Sequence, residues 1–346
     1  MKQLRAMISR KLLFAAGGVV LVATAALALS RVGFLDLPSV PGTISASEAG
    51  LADLEELHRV DEFVRGSGDA SKLVGLSADT IAAAQDVRAG MQTIASGSVE
   101  EGLEQMRVGV RRAPANLALT NAYRMQTFQL RRSFFAESRR SGQIVANFPA
   151  YIADEPIAFL TALDGQLHLR ETRLALALAW VDQMLLFPAL EIKAPASVEA
   201  VDLLTAALDS GEPNYVPALF ARGLNHLHRP ARLVWPETMR TPPDAAVQDI
   251  GKCVAIGRKV GMGSPRLQAI LAMTLGDGYV KAGRLGVARS WWQIAQNLCH
   301  DDDLQAAVRR RYSWTDEKII DELEAELDRA RAELTRPMTD LVFVWN

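Results

Sequence analysis

The sequence predicts an all-α fold, and three observations carry that expectation. Apolar residues recur at three- and four-residue intervals from about 46 to 336, as in "ADTIAAAQDVRAGMQTIA", "VEEGLEQMRVGVRRA" and "EAVDLLTAALD". The alternation of a half-buried strand is almost absent; only "LVFVWN" after Asp340 reads as extended, which makes 337–346 a C-terminal extended tail. Small residues are spaced so that pairs of helices can approach closely. At 346 residues, 49% of them hydrophobic and 23% charged, the chain has ample material for a core and is not a disordered tail.

The first thirty residues stand apart. Lys2, Arg5, Arg10 and Lys11 precede "LLFAAGGVVLVATAALALS" (12–30), which holds no charge. Nineteen residues at a helical rise of about 1.5 Å span about 28 Å, close to the hydrocarbon thickness of a bilayer. Residues 1–30 therefore read as a signal anchor with its basic end in the cytoplasm and the body in the periplasm, tethered to the inner membrane. A cleaved signal peptide is the alternative, since Ala26-Leu27-Ala28 has the small-x-small pattern of a cleavage site. The Pro-, Gly- and Ser-rich stretch 31–45 reads as a linker, and 46–336 as the helical domain. The net charge is only −2, and removing the basic N-terminus makes the rest more acidic still, so nucleic acid is not an expected partner.

Within the helical domain, "LGDGYVKAGRLGVARSWWQIAQN" (275–297) decides between two readings. A dinucleotide loop needs G-x-G-x-x-G after a strand, and Lys281 stands where the third glycine belongs. Counted instead from Ala269, small or apolar residues fall at Ala272, Leu275, Gly276, Tyr279, Gly283, Ala288, Trp292 and Ala295. Gly276 and Ala288 would let two antiparallel helices approach, Tyr279 and Trp292 would fill the space between them, and Gly283 would close the first helix at positive φ. The same pattern from Ala83 gives Ala89, Gly90, Gly97, Gly102, Met106, Gly109 and Pro114. This spacing resembles the tetratricopeptide repeat, a helix-turn-helix unit of about 34 residues. The clearest copies are 83–116 and 269–302. An interrupted copy covers 215–259, with Gly223 in its first helix and Ala246, Ile250 and Cys253 in its second, and another is implied by Ala200, Leu204 and Ala207. The resemblance implies an α-solenoid of antiparallel helix pairs. "TDEKIIDELEAELDRARAELTR", with Ile319, Leu323, Leu327 and Leu334 on one stripe, reads as a C-terminal capping helix, a dimerising coiled coil being the alternative.

The resemblance also implies a use: binding of a protein partner's helix or peptide along the concave face formed by first helices. Carried over position by position, that face comprises Phe220, Leu224, Leu227 and His228, then Ile270, Met273, Asp277 and Lys281. So apolar a groove needs cover, either from a partner or from the chain's own "TDLVFVWN". The segments 185–197 and 229–243 interrupt repeats and carry Phe187, Trp235 and Met239, which either form a contact lip or fold back over neighbouring helices.

Residues that carry chemistry are sparse. His226 and His228 point to different faces of a helix and do not readily share a metal. His168 and Glu171 fall on one helix face but lack the second Glu-x-x-His of a dimetal bundle. Asp301 to Asp303 read as a helix cap, and Arg131, Arg132, Arg139 and Arg140 as a solvated face. Cys253 and Cys299 lie in successive second helices, as buried thiols or as a bridge. No nucleophile elbow, zinc-protease motif or P-loop is present. The expectation is therefore a non-catalytic interaction scaffold or assembly factor without cofactor or metal. The alternative is a helical-repeat protein that handles a small ligand, metal or haem beside a transporter or redox system.

Overall fold

The computed structural model describes residues 37–141, 156–186, 190–209, 211–229, 242, 244–261, 264–299, 301–332 and 337–342. These residues form thirteen α-helices and one short 3-10 turn, and no strand. The chain is all-α, as its periodicity predicts. The helices are α1 (Leu51–Val64), α2 (Ala78–Ala95), α3 (Val99–Arg112), α4 (Leu117–Ser141), α5 (Pro156–Leu167), α6 (Arg170–Leu186) and α7 (Leu190–Asp209). They continue with α8 (Val216–His228), α9 (Ala245–Val260), α10 (Pro265–Lys281), α11 (Leu285–Leu298), α12 (Asp302–Ser313) and α13 (Ile319–Ala332).

Local chemistry sets many of the ends. Ser77 accepts from the Thr80 amide at 3.0 Å to start α2, and Asp301 accepts from the Leu304 amide at 3.0 Å to start α12, as its acidic run predicts. Ser264 does the same for α10, with Pro265 in the first turn, where its missing N–H is no loss. Gly283 closes α10 at φ 74°, with the Arg284 amide donating to the Tyr279 carbonyl at 2.8 Å. A side chain at that φ would be strained, which is why the turn needs glycine.

Short turns make α2–α3 and α10–α11 close hairpins, and α6 packs on α7 and α8 on α9 as well. The hairpins then pack in succession: α3 on α4, α7 on α8, α9 on α10, and α11 on α12. The helices α2, α4, α6, α8 and α10 touch one after another to form a single row. One hydrophobic core runs through these layers, from Val40 to Leu341, with Trp291 and Trp292 among its largest buried members.

Glycine sets how closely α2 and α3 approach. A Cβ built on Gly90 would stand 2.5 Å from the Gly102 carbonyl oxygen, and one built on Gly102 would stand 2.5 Å from that of Gly90. In α10, a Cβ at Gly276 would meet Trp292 Cδ1 at 2.5 Å and the Ala288 carbonyl at 3.0 Å. Gly276 thus sets the close approach of α10 and α11, as its spacing predicts.

Several expectations change. Residues 37–45 were expected to belong to a linker, yet Val40 and Ile44 are buried, and Lys259 donates to the carbonyls of Val40 and Gly42. Pro38 lies against Gly251, and the Ala49 carbonyl accepts from the Val216 amide at 3.0 Å. Apolar Val and Ile in this segment bury themselves on α8 and α9 instead of spacing out a domain. The supposed insertion at 185–197 is mostly helix, since α7 starts at Leu190 and continues through Pro195. His168 sits in the turn between α5 and α6 at φ 52°, so it does not share a helix face with Glu171. Residues 337–340 form a turn, closed by the Asp340 amide on the Pro337 carbonyl at 2.8 Å, and Leu341 and Val342 are helical. The described part of the tail is therefore not extended. The N-terminal apolar segment lies outside the described residues, among which no helix is long and apolar enough to cross a membrane.

Gly90→Ala is expected to lower stability by about 1–3 kcal/mol, because relief requires backbone to move from backbone. Gly286→Ala, where a Cβ meets nothing within 4 Å, is expected to be neutral or to stabilise by up to about 1 kcal/mol. Urea unfolding of the two variants beside the parent checks both; equal stability of all three would refute the close-packed assignment.

Candidate functional site

A polar stripe crosses the middle of α4. Asn116 starts that helix by accepting from the Ala118 and Leu119 amides at 3.1 and 3.2 Å. From there the helical repeat brings Asn121, Arg124 and Arg131 onto one face. All three are buried, Arg124 completely at 0% exposed. Buried charges of this kind need partners, and those come from α1, α6 and the end of the chain.

Arg124 Nη1 donates to Asp182 Oδ2 of α6 at 2.5 Å, and its Nη2 donates to Asn121 Oδ1 at 3.0 Å and to the Thr339 carbonyl. The Thr339 hydroxyl donates to the other Asp182 oxygen at 2.5 Å. Asn121 reads the next two residues: its Nδ2 donates to Asp340 Oδ1 at 2.9 Å, and its Oδ1 accepts from the Leu341 amide at 3.0 Å. Arg65, at the end of α1, donates both Nη groups to the Asp340 carboxylate at 2.9 and 3.0 Å, and its Nε to Asp61. Asp340 also accepts from the Val342 amide at 3.1 Å, so one carboxylate caps a helical turn while it binds a guanidinium. Three consecutive residues are thus held through a carbonyl, a hydroxyl, a carboxylate and an amide.

The charges around this segment nearly balance. Burial pushes the Asp340 carboxyl upward, but Arg65, Asn121 and Arg124 outweigh it and hold the group below the usual carboxylate range. Burial disfavours charge on Arg65 as well, and the carboxylates of Asp340 and Asp61 overcome that. Arg131 donates to Gln183 at 2.7 Å and adds its field to that of Arg124 at Asp182. Arg131 therefore belongs to the interior, a correction to the solvated face expected of the arginine pairs. Its spacing of seven residues from Arg124 turns both toward α6.

The residues expected to line a groove are distributed differently. Phe220 and Leu227 are buried in the core, and Leu224, Ile270 and Met273 are half-buried against it. Asp277 is closed off at 2% exposed, where it accepts from Arg311 of α12 through both oxygens at 2.7 Å and from Trp292 Nε1 at 2.9 Å. Its task is to neutralise a buried guanidinium, so it does not line an open surface. Lys281 donates to the Arg229 carbonyl at 2.6 Å and lies 3.8 Å from Glu324 of α13. Helix α13 packs on α10 with Ile319, Leu323 and Leu327 buried, so this end of the row is covered by the chain itself. His228 is half-buried on α8. Phe187, Trp235 and Met239, named for a contact lip, lie outside the described residues.

The other polar groups resolve into structural roles. Ser197 donates to Asn225 at 2.8 Å, and Arg222 grips Asp249 at 2.7 and 2.8 Å. Beside them, burial and the neighbouring Arg229 and Arg222 push His226 down to about 3, which keeps it neutral. Among the described residues no group of three or more His, Cys, Asp or Glu is arranged to hold a metal. Cys253 and Cys299 are free thiols, Cys253 buried. No protein-family model, curated protein or solved structure matches the chain.

The contacts that sequence reading overlooked are Asn121, Arg124, Asp182 and Arg65. The available signal was a polar stripe at helical spacing on α4, facing the lone acid of "RLALALAWVDQML". Nothing in the sequence joins that stripe to Thr339 and Asp340, more than two hundred residues away.

Asp277→Ala is expected to cost about 3–5 kcal/mol in urea unfolding, because Arg311 is left buried with only the more distant Glu326, 3.8 Å away, as its anion. Joint replacement of Asp277 and Arg311 by leucine is expected to recover part of that loss; a single variant as stable as the parent would remove the pair from the core's account. His226 has a folded pKa far below its unfolded value, so its contribution is complete above about pH 6.5 and is lost as pH falls toward 3. Stability is expected to drop by roughly 2 kcal/mol between pH 7 and 5 through this group, since only the unfolded chain takes up its proton there. His226→Leu is expected to flatten that limb, and an unchanged limb in unfolding midpoints would exclude His226 as its source.

Proposed function

We propose that this chain is a tetratricopeptide-like α-solenoid that works as a non-catalytic protein–protein interaction scaffold or assembly factor, tethered to the inner membrane in the periplasm. The helix order supports the solenoid: hairpin packs on hairpin, and every first helix from α2 to α10 touches the next. In the repeat that the sequence resembles, this row is the concave, ligand-binding face. The observation that carries the functional reading is that the row already holds a peptide. Thr339, Asp340 and Leu341 lie against α4 and α6 and are bound by Asn121, Arg124 and Asp182 through side-chain and main-chain groups alike. A surface that recognises a short segment in such detail is built for polypeptide. The net negative charge of the body speaks for protein and against nucleic acid as the ligand.

The test is detergent solubilisation of the tagged full chain and mass spectrometry of the proteins retained in stoichiometric amount. Leu224→Glu, which places a charge on α8 within the row, is expected to lose such a partner while its far-UV circular dichroism stays unchanged. A parent chain that comes through alone, or carries only a small molecule, would overturn the proposal.

A further inference from the structure

We propose that the pocket around residues 339–341 is a recognition site for a segment of a partner protein that presents a hydroxyl residue, a carboxylate residue and an aliphatic residue in succession at the start of a helical turn. The chain's own Thr339-Asp340-Leu341 occupies it in the free protein. The inference rests on the adaptor reading above and specifies the chemistry of what is bound.

Arg65 selects an acidic occupant. With Asp340 in place, the guanidiniums of Arg65, Arg124 and Arg131 face the carboxylates of Asp61, Asp182 and Asp340. Lifting the segment away strips Arg65 of both hydrogen bonds of its bidentate pair and Arg124 of the Thr339 carbonyl. A neutral segment cannot remake that charge-assisted pair with Arg65, and a basic one would set like charge against it.

Geometry selects the order of the residues. Asp182 lies on α6 and accepts the hydroxyl, whereas Arg65 lies at the end of α1 and takes the carboxylate, with Asn121 between them holding the following amide. The hydroxyl must therefore precede the acid. Leu341 is buried in the common core, so the third residue must be apolar. The carboxylate is at the same time the cap for the Val342 amide, which favours a segment that begins a helix at that point. None of these groups needs to belong to this chain. The tether gives the internal copy an effective concentration of about millimolar order, so a competing segment with matching chemistry can displace a contact of modest intrinsic affinity.

The experiment uses a fluorescently labelled peptide, acetyl-PMTDLV-amide, with the full-length protein and its full-length Thr339→Ala/Asp340→Ala variant. Fluorescence anisotropy is expected to show saturable binding to the variant and at least tenfold weaker binding to the parent, whose own segment competes. A peptide with Asn in place of Asp, or Arg65→Met added to the variant, is expected to lose at least tenfold. A variant with parental circular dichroism and a cooperative melt that binds neither peptide, or both equally, overturns the inference. Should the variant fail to fold, hydrogen exchange of the parent decides. A Leu341 amide that exchanges by local opening, at least tenfold faster than the slowest core amides, supports a displaceable segment, and exchange in step with those core amides overturns it. The two readings fail separately: a stoichiometric partner retained despite an inert peptide sinks only the recognition chemistry, whereas the absence of any retained protein sinks the adaptor reading.

Discussion

Much of this structure turns on the need to neutralise Arg124. A guanidinium with no solvent exposure in the middle of a long helix is costly unless its charge is answered. Asp182 answers from α6, Asn121 from the same helix and the Thr339 carbonyl from the far end of the chain. Meeting that requirement draws three distant stretches of sequence to one point. It also fixes the rotation of α4, because the face that carries Asn121 and Arg124 must look toward α6 and the returning segment.

A similar arrangement recurs at the other end of the row. Arg311 is buried on α12, and Asp277 of α10 accepts from its Nε and Nη2. Around that pair the contacts are apolar: Trp292 packs over Gly276 and meets Trp314 edge-on with ring centroids 5.8 Å apart. Each polar anchor thus sits inside a hydrophobic layer that sets its geometry. Hydrophobic burial supplies most of the driving force, and the ion pairs choose among the ways the helices can be rotated and stacked.

How much was legible in the sequence follows from the range of each interaction. The hairpins were readable because their signals are local: Gly90 and Gly102, or Gly276 and Ala288, lie twelve residues apart across one turn, and Gly283 marks that turn. Chain ends and polar partners were not, because they depend on residues far apart in sequence. Asp277 reads as a surface acid on a helix face, since nothing nearby announces that Arg311 will need it. Val40 and Ile44 read as linker because Pro and Gly surround them, and only the neighbouring α8 and α9 explain why they are buried. Residues 339–341 do lie against α4 and α6, but largely through polar contacts, where the repeat signal is weakest.

The segment 37–50 has a mechanical meaning. A linear stack of repeats pulled from its first helix would peel one unit at a time, since each unit holds only its neighbours. Here a load applied ahead of residue 37 does not reach α1 first. It arrives at Lys259 and Gly251 on α9, and at Val216 where α8 begins, past the middle of the helix order. Tension along the chain is therefore met first by α8 and α9, each packed against helices on both sides.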